Sequence, residues 1–162
     1  MSNPFSKQQK KFSICVPCYG DKYKMFDKFF EALDKQDYKH FETIITFDGP
    51  NRRGEKEFNK VIQKYPDLDA KYFTIAHAGA CAARNNSVKY ATGDYYAFPS
   101  PDCFLYPEAL RIWANEFEDP KINRVWGMYD IINDNGETMF PVGQAPVKSD
   151  GSVWYPAFKF SP

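Results

Sequence analysis

Four places along the chain put residues able to do chemistry immediately beyond an apolar run. Pro17-Cys18-Tyr19-Gly20 follows Phe12–Val16, and Asp48-Gly49-Pro50-Asn51 follows Thr43–Phe47. His77-Ala78-Gly79 follows Tyr72–Ala76, and Ser100-Pro101-Asp102 follows Tyr95–Phe98. A lone acid in such a place is commonly a turn-former or helix cap. Asp48 and Asp102 are two acids in equivalent places on one edge, which favours a functional reading over a turn or cap. Cys15-Val16-Pro17-Cys18 is a C-x-x-C, a spacing used in thiol redox chemistry and in zinc sites. Redox pairs of this kind open a helix, whereas Cys15 lies inside an apolar run. Cys81 and Cys103 stand alone and complete no zinc set. His77 has only His40 as a fellow histidine, so no histidine metal site is suggested.

The elements that must position these residues alternate in type. Phe12–Val16, Thr43–Phe47, Tyr72–Ala76 and Tyr95–Phe98 read as strands, with Pro17 marking the end of the first. Between them, Phe26, Phe29, Phe30 and Leu33 recur at i, i+3, i+4, i+7 behind Asp21, a candidate N-cap. Phe58, Val61, Ile62 and Tyr65 repeat that spacing up to Pro66, and a further helix runs from the small-residue stretch 77–83 to near Gly93. Pro107 stands where a first helical residue belongs, ahead of Leu110, Trp113, Ala114 and Phe117. Arg124–Tyr129 and Thr138–Val142 read as later strands, while Gln144–Pro162 has no clear period. Such alternation predicts an α/β domain with a mostly parallel sheet and helices on both faces. Ligands of such sheets bind at the carboxyl ends of the strands, near the point where strand order reverses.

Composition narrows the function classes. The 162 residues make one domain, large enough to bury a core without staples. Lys+Arg and Asp+Glu are balanced at 21 each, so a broad basic surface for nucleic acid or anionic membrane is not expected. No apolar run reaches membrane-span length, and the polar start lacks a signal-peptide core, which points to the cytoplasm. With 15 Phe and 11 Tyr, rings do the filling that leucine usually does.

From Phe12 to Leu110 the chain resembles the GT-A fold glycosyltransferases of family 2. Ser13-Ile14-Cys15-Val16-Pro17-Cys18-Tyr19-Gly20 is similar to the family's opening S-V-I-I-P-T-Y-N. Gln36-Asp37-Tyr38 with Phe41-Glu42-Thr43-Ile44-Ile45 resembles Q-T-Y...F-E-I-I-V, and Thr46-Phe47-Asp48-Gly49-Pro50 stands where the family has V-D-D-G-S. His77-Ala78-Gly79 with Ala83-Arg84-Asn85 resembles N-x-G-x-x-x-A-R-N. Ala91-Thr92-Gly93-Asp94-Tyr95-Tyr96-Ala97-Phe98-Pro99-Ser100-Pro101-Asp102, ending in Pro107-Glu108-Ala109-Leu110, is similar to A-x-G-E-Y-I-A-F-L-D-x-D...P-E-A-L.

The resemblance implies a single GT-A-like domain over 1–162. A nucleotide-sugar-binding half spans 12–110, and the start of a shortened acceptor half spans 111–162. It implies transfer of a sugar from a nucleotide-sugar donor, with UDP-sugar as the expected partner, to an unknown glycan or other acceptor. Negative charge growing on the leaving phosphate would be stabilised by a divalent cation, Mn²⁺ or Mg²⁺, held on carboxylate oxygen. Asp102 takes the metal-ligand place of D-x-D, and Ser100 replaces the acid that usually helps hold the ribose. Asp48 corresponds to the acid that accepts from the base, with Phe47 in place of its acidic neighbour. Pro17 and Tyr19 would wall the base, and His77 replaces a common Asn in the donor loop. Arg84, near a helix start, would meet phosphate or ribose oxygens; a solvated helix arginine is the alternative. An inverting transfer needs a general base, and the family's base lies further along than this chain runs. Asp130, Asp134, Glu137 and Asp150 match no motif, so the catalytic base is unassigned. The alternative reading is a non-catalytic descendant that binds nucleotide or carbohydrate. Homo-oligomerisation stays open.

Overall fold

The computed structural model describes residues 9–132, 138–141 and 155–160. Its first sheet is parallel throughout, in the order β3-β2-β1-β4. The strands are β1 (Phe12–Cys18), β2 (Phe41–Asp48), β3 (Ala70–Ile75) and β4 (Tyr95–Ala97). The chain builds outward from β1 through β2 to β3, then returns to place β4 on the other side of β1. Strand order therefore reverses between β1 and β4, and a crevice at their carboxyl ends is the expected ligand position.

The two faces of this sheet are chemically unlike. Phe12, Ile14, Val16 and Cys18 on β1, with Phe41, Ile45 and Phe47 on β2, belong to one buried cluster. Helix α1 (Phe26–Asp34) buries Phe26, Phe29, Phe30 and Leu33 in it, as their spacing predicts. Helix α2 (Arg52–Ile62) adds Phe58 and Val61. Rings meet edge-on here, Phe26 on Phe30 at 5.8 Å and Phe47 on Tyr72 at 5.7 Å. Phe47 also explains Gly54: a Cβ there would stand 2.6 Å from the Phe47 ring. The intervening residues, Ser13 and Cys15 on β1 and Glu42, Ile44 and Thr46 on β2, face helix α3 (Ala80–Lys89). Ser87 of α3 shares a 2.8 Å hydrogen bond with Thr46. Helices thus cover both faces, as expected.

The opposite, amino-terminal end of the sheet is closed by a buried carboxylate. Glu42 accepts from Ser13 Oγ (2.8 Å), Thr92 N–H (2.6 Å), Thr92 Oγ1 (2.7 Å) and Lys71 Nζ (2.9 Å). Burial opposes its charge, but these donors prevail and hold its carboxyl down at about 2. Gly93 crosses β1 at the same place; a Cβ would stand 2.7 Å from Lys11 O and Ser13 N, so only glycine fits. Gln36, buried at the end of α1, donates to Tyr106 O (2.7 Å) and accepts from Leu110 N–H (3.2 Å), fastening α4 (Ala109–Glu116) to α1.

Several boundaries differ from expectation. Pro17 lies within β1 because its missing N–H faces the side on which no strand is paired with it. Lys11 O accepts from Tyr95 N–H on the β4 side while Phe12 N–H donates to His40 O on the β2 side. Odd positions of β1 therefore face β4, which stops opposite Ile14. Asp21 does not cap α1: a 3-10 turn, Lys22–Met25, intervenes, and the Asp21 carboxylate pairs with Lys24 Nζ at 2.8 Å. Pro107 precedes Glu108, the N-cap of α4, instead of opening the helix. Helix α3 ends at Lys89, short of Gly93.

A second, mixed sheet has the order β5-β8-β6-β7. It is built from β5 (Cys103–Leu105), β6 (Gly127–Ile132), β7 (Thr138–Pro141) and β8 (Tyr155–Phe160). Strand β5 is three residues long and has no period to predict it, and β6 begins later than Arg124. The aperiodic tail contains β8, which pairs parallel with β6 and antiparallel with β5. Asp134, Glu137 and Asp150 lie outside the described residues. No described helix is long and apolar enough to cross a membrane.

Candidate functional site at the carboxyl edge of the parallel sheet

Residues at the ends of β1, β2, β3 and β4 gather into two groups. The first joins β1, β2 and β3. Asp48 closes β2, and its carboxylate turns back into the loop between β3 and α3. Oδ1 accepts from Ala78 N–H at 2.7 Å, Oδ2 accepts from Gly79 N–H at 3.0 Å, and His77 Nδ1 lies 2.9 Å from Oδ2. Burial opposes the charge, yet those amide groups and His77 hold the carboxyl below the usual carboxylate range. Gly79 takes φ +91, a backbone region that side chains disfavour, and so lets the loop turn onto Asp48 before α3 begins. The His77 ring stacks on Tyr19 beyond β1, with centroids 4.7 Å apart and planes at 26°. Tyr19 is exposed, so an aromatic face stands at the rim instead of in the core.

The second group lies where strand order reverses. Asp102 follows β4 and is mostly buried, with 13 % of its side chain exposed. Its Oδ1 accepts from Ser100 Oγ and its Oδ2 from Lys22 Nζ. Lys22 comes from the 3-10 turn after β1, so this ion pair bridges the crevice between β1 and β4. Burial opposes the Asp102 charge, and Lys22 and Ser100 outweigh it, keeping the carboxyl below its ordinary range. Arg84, on the second turn of α3, is close enough to Cys103 for its charge to act on that thiol. Its Nε is buried and has no hydrogen-bond partner among the described residues.

Of the residues singled out from sequence, Ser100 and Asp102 meet directly, Tyr19 and Asp48 meet through His77, and Arg84 stands beside the second group. Pro17 is part of β1 and its half-buried ring lies just before the rim. Lys22 was missed. Nothing in the sequence separates it from Lys24, which pairs with its neighbour Asp21 instead. In the C-x-x-C, Cys15 and Cys18 are free and buried, and burial pushes both thiols up to about 12, away from the thiolate that redox chemistry uses. Asp130 on β6 accepts from Tyr106 Oη, the residue just after β5.

The model of "Glycosyl transferase family 2" matches residues 13–160. The chain belongs to family 2 of the glycosyltransferases. A curated relative in Escherichia coli, the UDP-Glc:alpha-D-GlcNAc-diphosphoundecaprenol beta-1,3-glucosyltransferase WfgD, is 29 % identical over 124 residues, covering 76 % of this chain and 47 % of its own. The structure of Staphylococcus aureus TarS 1–349 in complex with UDP-GlcNAc superposes with a TM-score of 0.63 at 23 % identity, covering 86 % of this chain and 38 % of that TarS 1–349 chain. The mannosyltransferase PcManGT of Pyrobaculum calidifontis, in complex with GDP-Man and Mn²⁺, gives 0.60 at 17 % identity, covering 79 % and 36 %. These likenesses show the GT-A fold. The chain spans about a fifth of the length of several other curated relatives.

Proposed function

We propose that this family 2 domain binds a nucleotide-sugar, a UDP-sugar by preference, and transfers the sugar with inversion to an acceptor of unassigned class. The observation that supports it most is the meeting of Lys22, Ser100 and Asp102 at the strand-order reversal, with the Arg84 charge acting on the adjoining Cys103. Cations and hydrogen-bond donors are gathered there, where a diphosphate would lie. The Tyr19–His77 stack beside it offers a face to a base, and Ser100 a hydroxyl to a ribose. Asp48 fixes the loop that carries His77, so its part in base choice is exerted through that loop as well as through any direct contact. The WfgD name and the TarS complex favour uracil as the base.

A divalent cation fits this site on the chemistry of its donors. Asp102 supplies a hard carboxylate oxygen and Ser100 a hydroxyl, the ligand class that Mg²⁺ and Mn²⁺ prefer. No group of three or more His, Cys, Asp or Glu is assembled for a metal among the described residues. The diphosphate's own oxygens would therefore complete the coordination. When bound, such an ion neutralises charge on the leaving diphosphate. Arg84 and the amino-terminal end of α3 add positive potential to the same edge.

Thermal unfolding in the presence of UDP tests the reading. UDP with Mn²⁺ should raise the melting temperature by several degrees, and Asp102→Ala should remove the part of the rise that depends on Mn²⁺. No shift with any nucleoside diphosphate, with or without metal, would defeat it. A shift without turnover or hydrolysis of any nucleotide-sugar would select the non-catalytic alternative.

A further inference from the structure

Asp102 already has a cation on it, and that cation belongs to the protein. Its two oxygens are both engaged, one by the Ser100 hydroxyl and the other by the Lys22 ammonium. The site offers one carboxylate, with serine where a second acid would have doubled its negative charge, so a single ammonium neutralises it. A divalent ion arriving alone would have to displace Lys22 for the sake of one carboxylate and a hydroxyl. That exchange gains little, because no group of three or more His, Cys, Asp or Glu is gathered for the ion among the described residues.

Lys22 is built to let go. Half of its side chain is exposed, and its flexible stem carries a point charge that can swing without moving the backbone. The backbone beneath is held: Lys22 N–H donates to Tyr19 O at 3.3 Å and Lys24 N–H to Asp21 O at 2.9 Å, while the Lys24 side chain is anchored on Asp21. A diphosphate entering the crevice brings at least two negative charges to a place where Asp102 offers one. The ammonium then has a stronger partner, and the carboxylate is freed as phosphate oxygens arrive to complete a metal's coordination.

We propose that Lys22 is a tethered cation that closes Asp102 to divalent ions until a nucleoside diphosphate draws it away, which makes metal entry conditional on donor entry. Lys22 acts through Asp102 and is a positioning residue. The proposal rests on the reading of Asp102 as the carboxylate that holds the metal.

The test uses Mn²⁺ and UDP as probes and reads free Mn²⁺ by electron paramagnetic resonance, so no catalytic turnover is needed. Without UDP, Lys22→Met should bind Mn²⁺ at least tenfold more tightly than the unaltered protein, and saturating UDP should shrink that difference. Lys22→Arg keeps the cation and should behave like the unaltered protein. Lys24→Met removes the same charge two residues away and should change Mn²⁺ affinity less than twofold. In the Lys22→Met background, Asp102→Asn should abolish the gain. Equal Mn²⁺ affinity of the unaltered protein and a folded Lys22→Met without UDP would overturn the proposal, as would an equal gain from Lys24→Met. UDP that binds while Mn²⁺ binds to neither protein would instead overturn the reading of Asp102.

Discussion

Glu42 and Asp102 are both carboxylates taken largely out of water at opposite ends of one parallel sheet, and both carry a lysine. Glu42 is met by Ser13, by the main chain and side chain of Thr92 and by Lys71. Most of these donors are short or part of the backbone, set by the register of β1 on β2 and by the Gly93 crossing. Asp102 is met by Ser100 two residues away and by the tip of one half-exposed lysine. A buried charge held by rigid donors fixes structure, because removing it strands several groups at once. A buried charge held by a movable side chain keeps its capacity for a ligand.

Three measurements would break or sharpen that contrast. Glu42→Ala should have the largest effect, a loss of about 3–5 kcal/mol in urea unfolding, since it leaves Lys71 and the Thr92 amide without their acceptor. Next comes the acid limb of stability. Glu42 titrates at about 2 in the fold against an ordinary 4.5. Its stabilisation is complete above pH 4.5 and drains away as pH falls toward 2. Glu42→Gln should flatten the urea midpoint across that window relative to the unaltered protein, and an unchanged slope would show that Glu42 is not the group responsible. The smallest effect belongs to Asp102→Asn, which should change stability by less than about 1 kcal/mol because its cation is half in water. A loss as large as that of Glu42→Ala would erase the distinction between the two ends.

Much of the fold was legible because its signals are local. The spacing of Phe26, Phe29, Phe30 and Leu33 gave α1, and apolar runs gave the cores of β1 to β4. Where local signals misled, a neighbour was responsible. Pro17 stayed in β1 because β4 had already ended on the side its nitrogen faces, and Asp21 chose Lys24 over the start of α1. Strand β5 is three residues long and has no period to detect. Strand β8 sits among prolines and glycines and is defined by its pairing with β5 and β6, which lie far away in sequence. In the site, Asp48, Ser100 and Asp102 were found because they stand directly beyond apolar runs. Lys22 was not, because its partner is 80 residues distant.

The sequence by itself determined which residues stand at strand ends, which helix faces are apolar and which family the ordered motifs resemble. Each of these depends on neighbours a few positions apart, where sequence spacing becomes geometry directly. Only the tertiary structure decided that β4 lies beside β1, and so that the loop bearing Lys22 faces the turn bearing Asp102. Strand order is set by which long-range pairings bury the two faces of the sheet together. That choice is made across the whole chain, and no local pattern states which loop tips will meet.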